Sequence, residues 1–261
     1  ALSLAVLAQP WDAVFCHRHS HIEVDECGAP EFYMGGAKLT LVDGENAKMS
    51  PQALRKAISE SARGGVHNVQ RGAVSITNVT EFGTVYSAAE VAALASVAKE
   101  FDLPVHLDGA RFANAVVADG CTAAEMTWKA GVDVVSFGGP KNGCMGVEAV
   151  VIFDPARAWE FELRRKRGGH LFSKHRYLSA QMDAYLTDDL WLRLARRANA
   201  SAARLSQGLV ALDGAELMFP PDANLNFAKL PRGGHRRAKE GGAKYYLWPF
   251  EQPMDGPEHE L

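Results

Sequence analysis

PVHLDGARFANAVVADGCTAAEMTWKAGVDVVSFGGPKNGCMGVEAVVIF, Pro104–Phe153, is the stretch that decides the fold. It opens on an apolar run at Pro104–Leu107 and continues through a helical pattern within Ala110–Val117. Thr122 and Glu125 form a capping box for a second helix ending near Gly131, and another apolar run follows at Val132–Ser136. Two apolar strands joined through helix predict parallel neighbours, because a parallel pair needs a crossover of about a dozen residues or more. Ala149–Phe153 follows after a loop too short for that crossover, so the last pair is predicted antiparallel.

The same alternation extends outward. Ala13–His17, Lys38–Val42 and Ala73–Thr77 read as strands. Ser50-Pro51 starts a helix, with serine as N-cap and proline in the first turn, and Ser87 with Glu90 forms a capping box for a helix to about Phe101. Apolar strands alternating with helices predict an α/β fold with a mostly parallel sheet covered by helices on both faces. Beyond Pro155 helical patterns dominate, notably Asp188–Leu212, and strand-like pieces follow at Glu216–Phe219, Asn224–Leu230 and Lys244–Trp248. This predicts a large domain over residues 1–187 and a small C-terminal α+β domain over residues 188–261. Ala1–Gln9 reads as a helix already under way without a cap, and the Pro/Gly-rich end stops without a packed element, so the chain reads as a fragment of a longer enzyme.

Composition narrows the function. Of 261 residues 47% are hydrophobic and 23% charged, which places the chain among ordinary globular proteins. A formal charge of −3 gives no electrostatic reason to expect nucleic acid or an anionic membrane. The one dense basic run, Arg164–Arg167, reads as a solvated helix end favoured by the helix dipole. No apolar stretch approaches the roughly 20 residues of a membrane helix. Four cysteines without a CxxC pair argue for a reducing cytoplasm.

In parallel sheets ligands bind beyond the carboxyl ends of strands. His17–His21, Thr77–Glu81, Asp108 and Ser136–Lys141 all fall at such predicted ends. Lys141 lies in a loop where Gly138, Gly139 and Gly143 let backbone approach a ligand closely, and lowering its pKa by burial or a neighbouring cation would make it nucleophilic. Asp108 reads both as an N-cap for the helix from Ala110 and as a carboxylate able to hold a heterocyclic nitrogen protonated. Arg111 offers a fork to a carboxylate or phosphate. A lysine to hold an aldehyde carbon and a carboxylate for a ring nitrogen point to pyridoxal 5'-phosphate. His17, His19 and His21 share one face if their strand continues, which would suit a metal-dependent hydrolase instead.

HSHIEVDECGAPEFYMGGAKL, SITNVTEFGTVYS, HLDGARFANAV and VSFGGPKNG, in this order, resemble the low-specificity threonine aldolases, members of the β-eliminating lyase group of fold-type I pyridoxal-phosphate enzymes. The resemblance runs from Ala1 to FEQPMDGP at Phe250–Pro257. It implies a pyridoxal-phosphate-dependent aldehyde-lyase that cleaves threonine, allo-threonine and related β-hydroxy-α-amino acids to glycine and an aldehyde, with β-elimination or phenylserine cleavage as the alternatives. Lys141 matches the cofactor-binding lysine, Asp108 the partner of the pyridine nitrogen, and Arg111 an arginine that contacts the substrate carboxylate. His21 matches the histidine that stacks on the ring and is a candidate base. Glu81 falls where some members place another histidine near the substrate hydroxyl. Pro140 stands where relatives often carry a hydroxyl, and the expected Gly-Thr phosphate segment and a further arginine would lie beyond the two ends. The resemblance also implies a homodimer or homotetramer with shared active sites, and it assigns none of the site residues as a metal ligand. Trp159, Phe161, Phe172, Tyr177 and Tyr185 are candidate apolar contacts, each read more readily as core.

Overall fold

The computed structural model describes residues 1–247. Its strands are β1 (Asp12–His17), β2 (Lys38–Val42), β3 (Gln70–Thr77), β4 (Val105–Gly109), β5 (Val134–Gly138), β6 (Glu148–Ile152), β7 (Glu216–Leu217) and β8 (Ala228–Lys229). The helices are α1 (Leu2–Ala5), α2 (His21–Val24), α3 (Ala29–Tyr33), α4 (Pro51–Glu60), α5 (Ala88–Lys99), α6 (Phe112–Asp119) and α7 (Ala123–Met126), then α8 (Ala158–Arg167), α9 (Arg176–Leu186), α10 (Leu190–Val210) and α11 (Arg232–Glu240).

Among the described residues β1–β6 form one sheet in the order β2-β1-β3-β4-β5-β6. All neighbours are parallel except β5 and β6, the antiparallel pair that the short loop requires. The chain moves from β1 outward to β2 and returns to the other side of β1 for β3, which makes the β1/β3 crevice a switch point. The all-buried residues of β1 and β4 reflect helices on both sheet faces. One face packs Phe15, Val74, Ile76, Leu107 and Val135 with apolar residues of α4, α5 and α6. The other packs Val14, Cys16, Ala73 and Val134 with Leu4, Ala5, Ile22 and Met34 of the N-terminal region.

Local signals account for the element starts. Ser50 Oγ accepts from Ala53 N at 3.1 Å, and both predicted capping boxes form, at Ser87/Glu90 and Thr122/Glu125. The basic run ends α8, with Arg164 paired to Glu160 and Arg165 to Glu162.

The differences have identifiable causes. β5 extends to Gly138 because Phe137 and Gly138 pair with Ala149 and Glu148 of β6, although glycine itself carries no strand signal. The first helix closes at Ala5, short of the expected Gln9. Two glycines in RGGHRRAKE obscure α11 in the sequence. Lys244–Leu247 forms no strand, and Trp248 and Phe250–Pro257 lie outside the described residues. At the anticipated division near residue 187, Asp188 and Asp189 take left-handed φ of 50° and 55° before α10 begins. That helix then seats on α6, where Asn114 Nδ2 donates to Asn199 Oδ1 at 2.9 Å and Asn199 Nδ2 returns a bond to Asn114 O at 3.0 Å.

Candidate active site

Parallel pairing carries the ends of β1, β3, β4 and β5 to one rim, with His17, Thr77, Gly109 and Gly138 as their last residues. Asp108 sits one residue before the end of β4, in register with Thr77 on one side and Ser136 on the other. Only 9% exposed, it accepts a 3.2 Å bond from Ala110 N. That bond closes a turn and does not cap the helix: α6 begins at Phe112, with Arg111 in the cap position. Burial pushes the Asp108 carboxyl above its ordinary range against the Ala110 N–H. The charge on Glu26 pushes it the same way, and those on His21 and Lys141 pull it back. These four groups therefore share one electrostatic neighbourhood.

Lys141 lies in a short turn, Pro140–Asn142, that follows β5, and Pro140 supplies the fixed φ that opens it. Asn142 anchors this turn by donating to Tyr185 Oη at 2.6 Å and to Trp191 O at 2.9 Å. Glycine is required just before it: a Cβ on Gly138 would lie 2.6 Å from Ala110 O, and one on Gly139 2.5 Å from Val147 O.

The histidine segment departs from the extended expectation. β1 stops at His17, whose Nε2 bonds Gly44 O at 3.1 Å and whose Nδ1 accepts from His19 N at 3.0 Å. His21 opens α2 and donates from Nδ1 to Glu26 Oε1 at 3.0 Å. The three imidazoles share no strand face, both nitrogens of His17 are engaged, and among the described residues no cluster of His, Cys, Asp or Glu is arranged to hold a metal ion. The metal-hydrolase reading fails on this geometry. His21 is instead held above its ordinary pKa, first by its bond to Glu26 and further by the charge on Glu81, while burial and Lys141 oppose the rise.

Glu81, partly buried in the loop after β3, is thus near enough to act on His21. Arg111 is partly buried at the start of α6, and its guanidinium forms no ion pair among the described residues. Two further carboxylates belong to this neighbourhood. Glu26 is held below its ordinary range by the bond from His21. Glu148, opposite Gly138 in the β5–β6 ladder, is held above it by the surrounding protein and by Asp108, with Lys141 opposing. Glu148 escaped the sequence reading because its place depends on antiparallel register, and only the length of the preceding loop hinted at that pairing.

The rim fits a protonated heteroaromatic ring on an observation of its own. The Thr77 hydroxyl, in a residue 8% exposed and in register with Asp108, has no hydrogen-bond partner among the described residues. A buried carboxyl held by one N–H beside an unpartnered hydroxyl is a polar pair open to a ligand.

The rim thus pairs a lysine turn after β5 with a buried carboxylate one residue before the end of neighbouring β4, and the family match gives this arrangement its class. The chain belongs to the beta-eliminating lyase family, whose model matches residues 1–232. Over 248 residues it is 41% identical to the low specificity L-threonine aldolase of a Pseudomonas species, a match covering 95% of this chain and 71% of that protein. It is equally similar to the enzyme of that name from Pseudomonas aeruginosa, at 41% over 248 residues. The solved threonine aldolase of Leishmania major superposes with a TM-score of 0.85 at 29% identity, covering 96% of this chain and 72% of that one.

Proposed function

We propose that this chain is a pyridoxal-phosphate-dependent aldehyde-lyase that cleaves threonine, allo-threonine and related β-hydroxy-α-amino acids to glycine and an aldehyde. The observation that carries the reading is the buried Asp108 carboxylate within electrostatic reach of Lys141 and His21 at one sheet rim. Pyridoxal phosphate, when bound, supplies a protonated ring that withdraws the electron pair left on the substrate α-carbon. Lys141 would hold the aldehyde carbon, and Asp108 would hold the proton on the ring nitrogen. Arg111 binds the substrate carboxylate. His21 would lie against the ring, and His21 or Glu81 would take the β-hydroxyl proton, a transfer that contributes roughly 10²–10⁴-fold.

Lys141→Ala tests this directly. Loss of both aldehyde release from threonine and the visible band of the reconstituted protein is expected, and retention of full activity would overturn the lysine's role.

The division into units of residues 1–187 and 188–261 belongs to the same reading, supported by the break at Asp188 and Asp189. So does assembly as a homodimer or homotetramer with shared sites. Trp159, Phe172 and Tyr177 are exposed where core was anticipated, while Tyr185 is buried and Phe161 packs against the core. Light scattering of the purified chain tests the assembly. A cytoplasmic setting accords with the four free cysteines. No described helix is long and apolar enough to cross a membrane.

A further inference from the structure

One pleat below Asp108, on the same sheet face, lies a polar rung that the proposed chemistry does not use. His106, 2% exposed, stands two residues before Asp108 and therefore projects to the same side of β4. Its Nδ1 is 2.9 Å from Ser75 Oγ on β3, and its Nε2 is 2.9 Å from Ser136 Oγ on β5. Ser136 Oγ is in turn 2.8 Å from Ser3 Oγ of α1. The rung interrupts an apolar layer that includes Val14, Cys16, Ala73 and Val134.

Stability alone does not explain such a rung. Replacing mutually bonded buried polar groups by apolar ones of similar shape is often nearly neutral. Two features point to a role in the site. The rung ties together the three strands whose ends carry Thr77, Asp108 and the Lys141 turn, and a one-residue slip of any strand would turn its member to the opposite face. Its members are also uncharged: an imidazole between two hydroxyls donates from one nitrogen and accepts at the other, and burial pushes His106 down to about 3. A cation at this position would pair with the carboxylate above it.

We propose that His106 is a positioning residue for Asp108: the Ser75–His106–Ser136 rung fixes the strand ends of the site and leaves the Asp108 charge uncommitted for a protonated ring nitrogen. This inference rests on the assignment of Asp108 under the proposed function. Below it the rung is closed by hydrogen bonds on both sides of the imidazole. Above it the next pair, Thr77 and Asp108, remains open.

The test titrates pyridoxal phosphate into the full chain and its variants, reading the dissociation constant by fluorescence, the visible band by absorbance and the Tm of each apoprotein. The quadruple variant Ser3→Ala, Ser75→Ala, His106→Leu, Ser136→Ala, which removes every partner of the rung together, is expected to keep its Tm within a few degrees while binding the cofactor roughly tenfold or more weakly, the scale of one lost buried support. His106→Gln, which still donates and accepts, is expected to restore most of that affinity. If the quadruple variant does not fold, Ser75→Ala carries the measurement: it leaves His106 Nδ1 without its partner, so a lower Tm is expected, together with weaker binding at a temperature where the variant is fully folded. Unchanged affinity and an unchanged band in a folded rung variant would overturn the inference. Asp108→Ala separates the two levels: if it binds as the parent does, the Asp108 assignment falls and this inference with it. If Asp108→Ala weakens binding and the rung variants do not, only the role of His106 falls.

Discussion

His21 and Glu26 show how much chemistry one hydrogen bond can set. The Glu26 carboxylate favours the protonated imidazole, so the His21 pKa lies above its ordinary 6.5. If neutral His21 takes the substrate proton, activity must rise as pH passes through that elevated value, placing the acidic limb of kcat/KM above 6.5. Glu26→Gln removes the largest cause of the elevation and leaves burial, which favours the neutral ring, so the limb should move to lower pH. A pH–rate profile of both proteins checks this, and a limb that stays in place would transfer the base role to Glu81. At this scale Lys141 and Asp108 stood out as candidates because each follows an apolar strand, whereas the roles proposed for Arg111, His21 and Glu81 came from the family resemblance. His106 and Glu148 were not singled out, since a histidine in an apolar strand and a glutamate on an edge strand resemble many ordinary residues.

The approach of β4 and β5 governs the site at the level of elements. A Cβ on Gly138 would meet Ala110 backbone atoms at 2.6–2.9 Å, and rigid backbone cannot yield as a flexible side chain would. Gly138→Ala should lower stability by roughly 1–3 kcal/mol, the scale of overpacking, and weaken cofactor binding because the Lys141 turn shifts. Gly146→Ala, with open space around its Cβ, is the matched control and should leave both unchanged. Urea denaturation together with cofactor titration distinguishes the pair. Ser87→Ala should cost about 1 kcal/mol through loss of the α5 cap, without affecting cofactor affinity. Helix starts were legible because a cap is local chemistry, and strand interiors because apolar runs are local patterns. The last residues of β5 were less legible because pairing across the sheet defines them.

For the molecule as a whole, α10 couples the C-terminal part of the chain to the lysine turn. Trp191 stacks on Phe112 with ring centroids 6.2 Å apart and planes 3° apart, meets Phe137 edge-on at 5.7 Å, and its carbonyl holds Asn142. Trp191→Ala should therefore lower stability by roughly 3 kcal/mol, the low end of the range for large aromatic truncations because the residue is only partly buried. It should also weaken cofactor binding by loosening the turn that carries Lys141. Denaturation and cofactor titration on one preparation test both effects. Weakened stability with full cofactor affinity would show that the Lys141 turn holds its shape without α10.

The sequence by itself determined the α/β class, the antiparallel last pair and both capping boxes. These follow from hydrophobic periodicity, loop length and side-chain chemistry, all of which act over a few residues. Only the tertiary structure decided that the histidine segment turns away from β1 into a helix, and with that excluded the three-imidazole metal arrangement. Sheet register likewise put the Ser75–His106–Ser136 rung one pleat below Asp108 and Glu148 opposite Gly138, and α10 came to anchor the lysine turn. Each of these depends on which distant residues share a face, a relation that long-range pairing creates and local pattern does not carry.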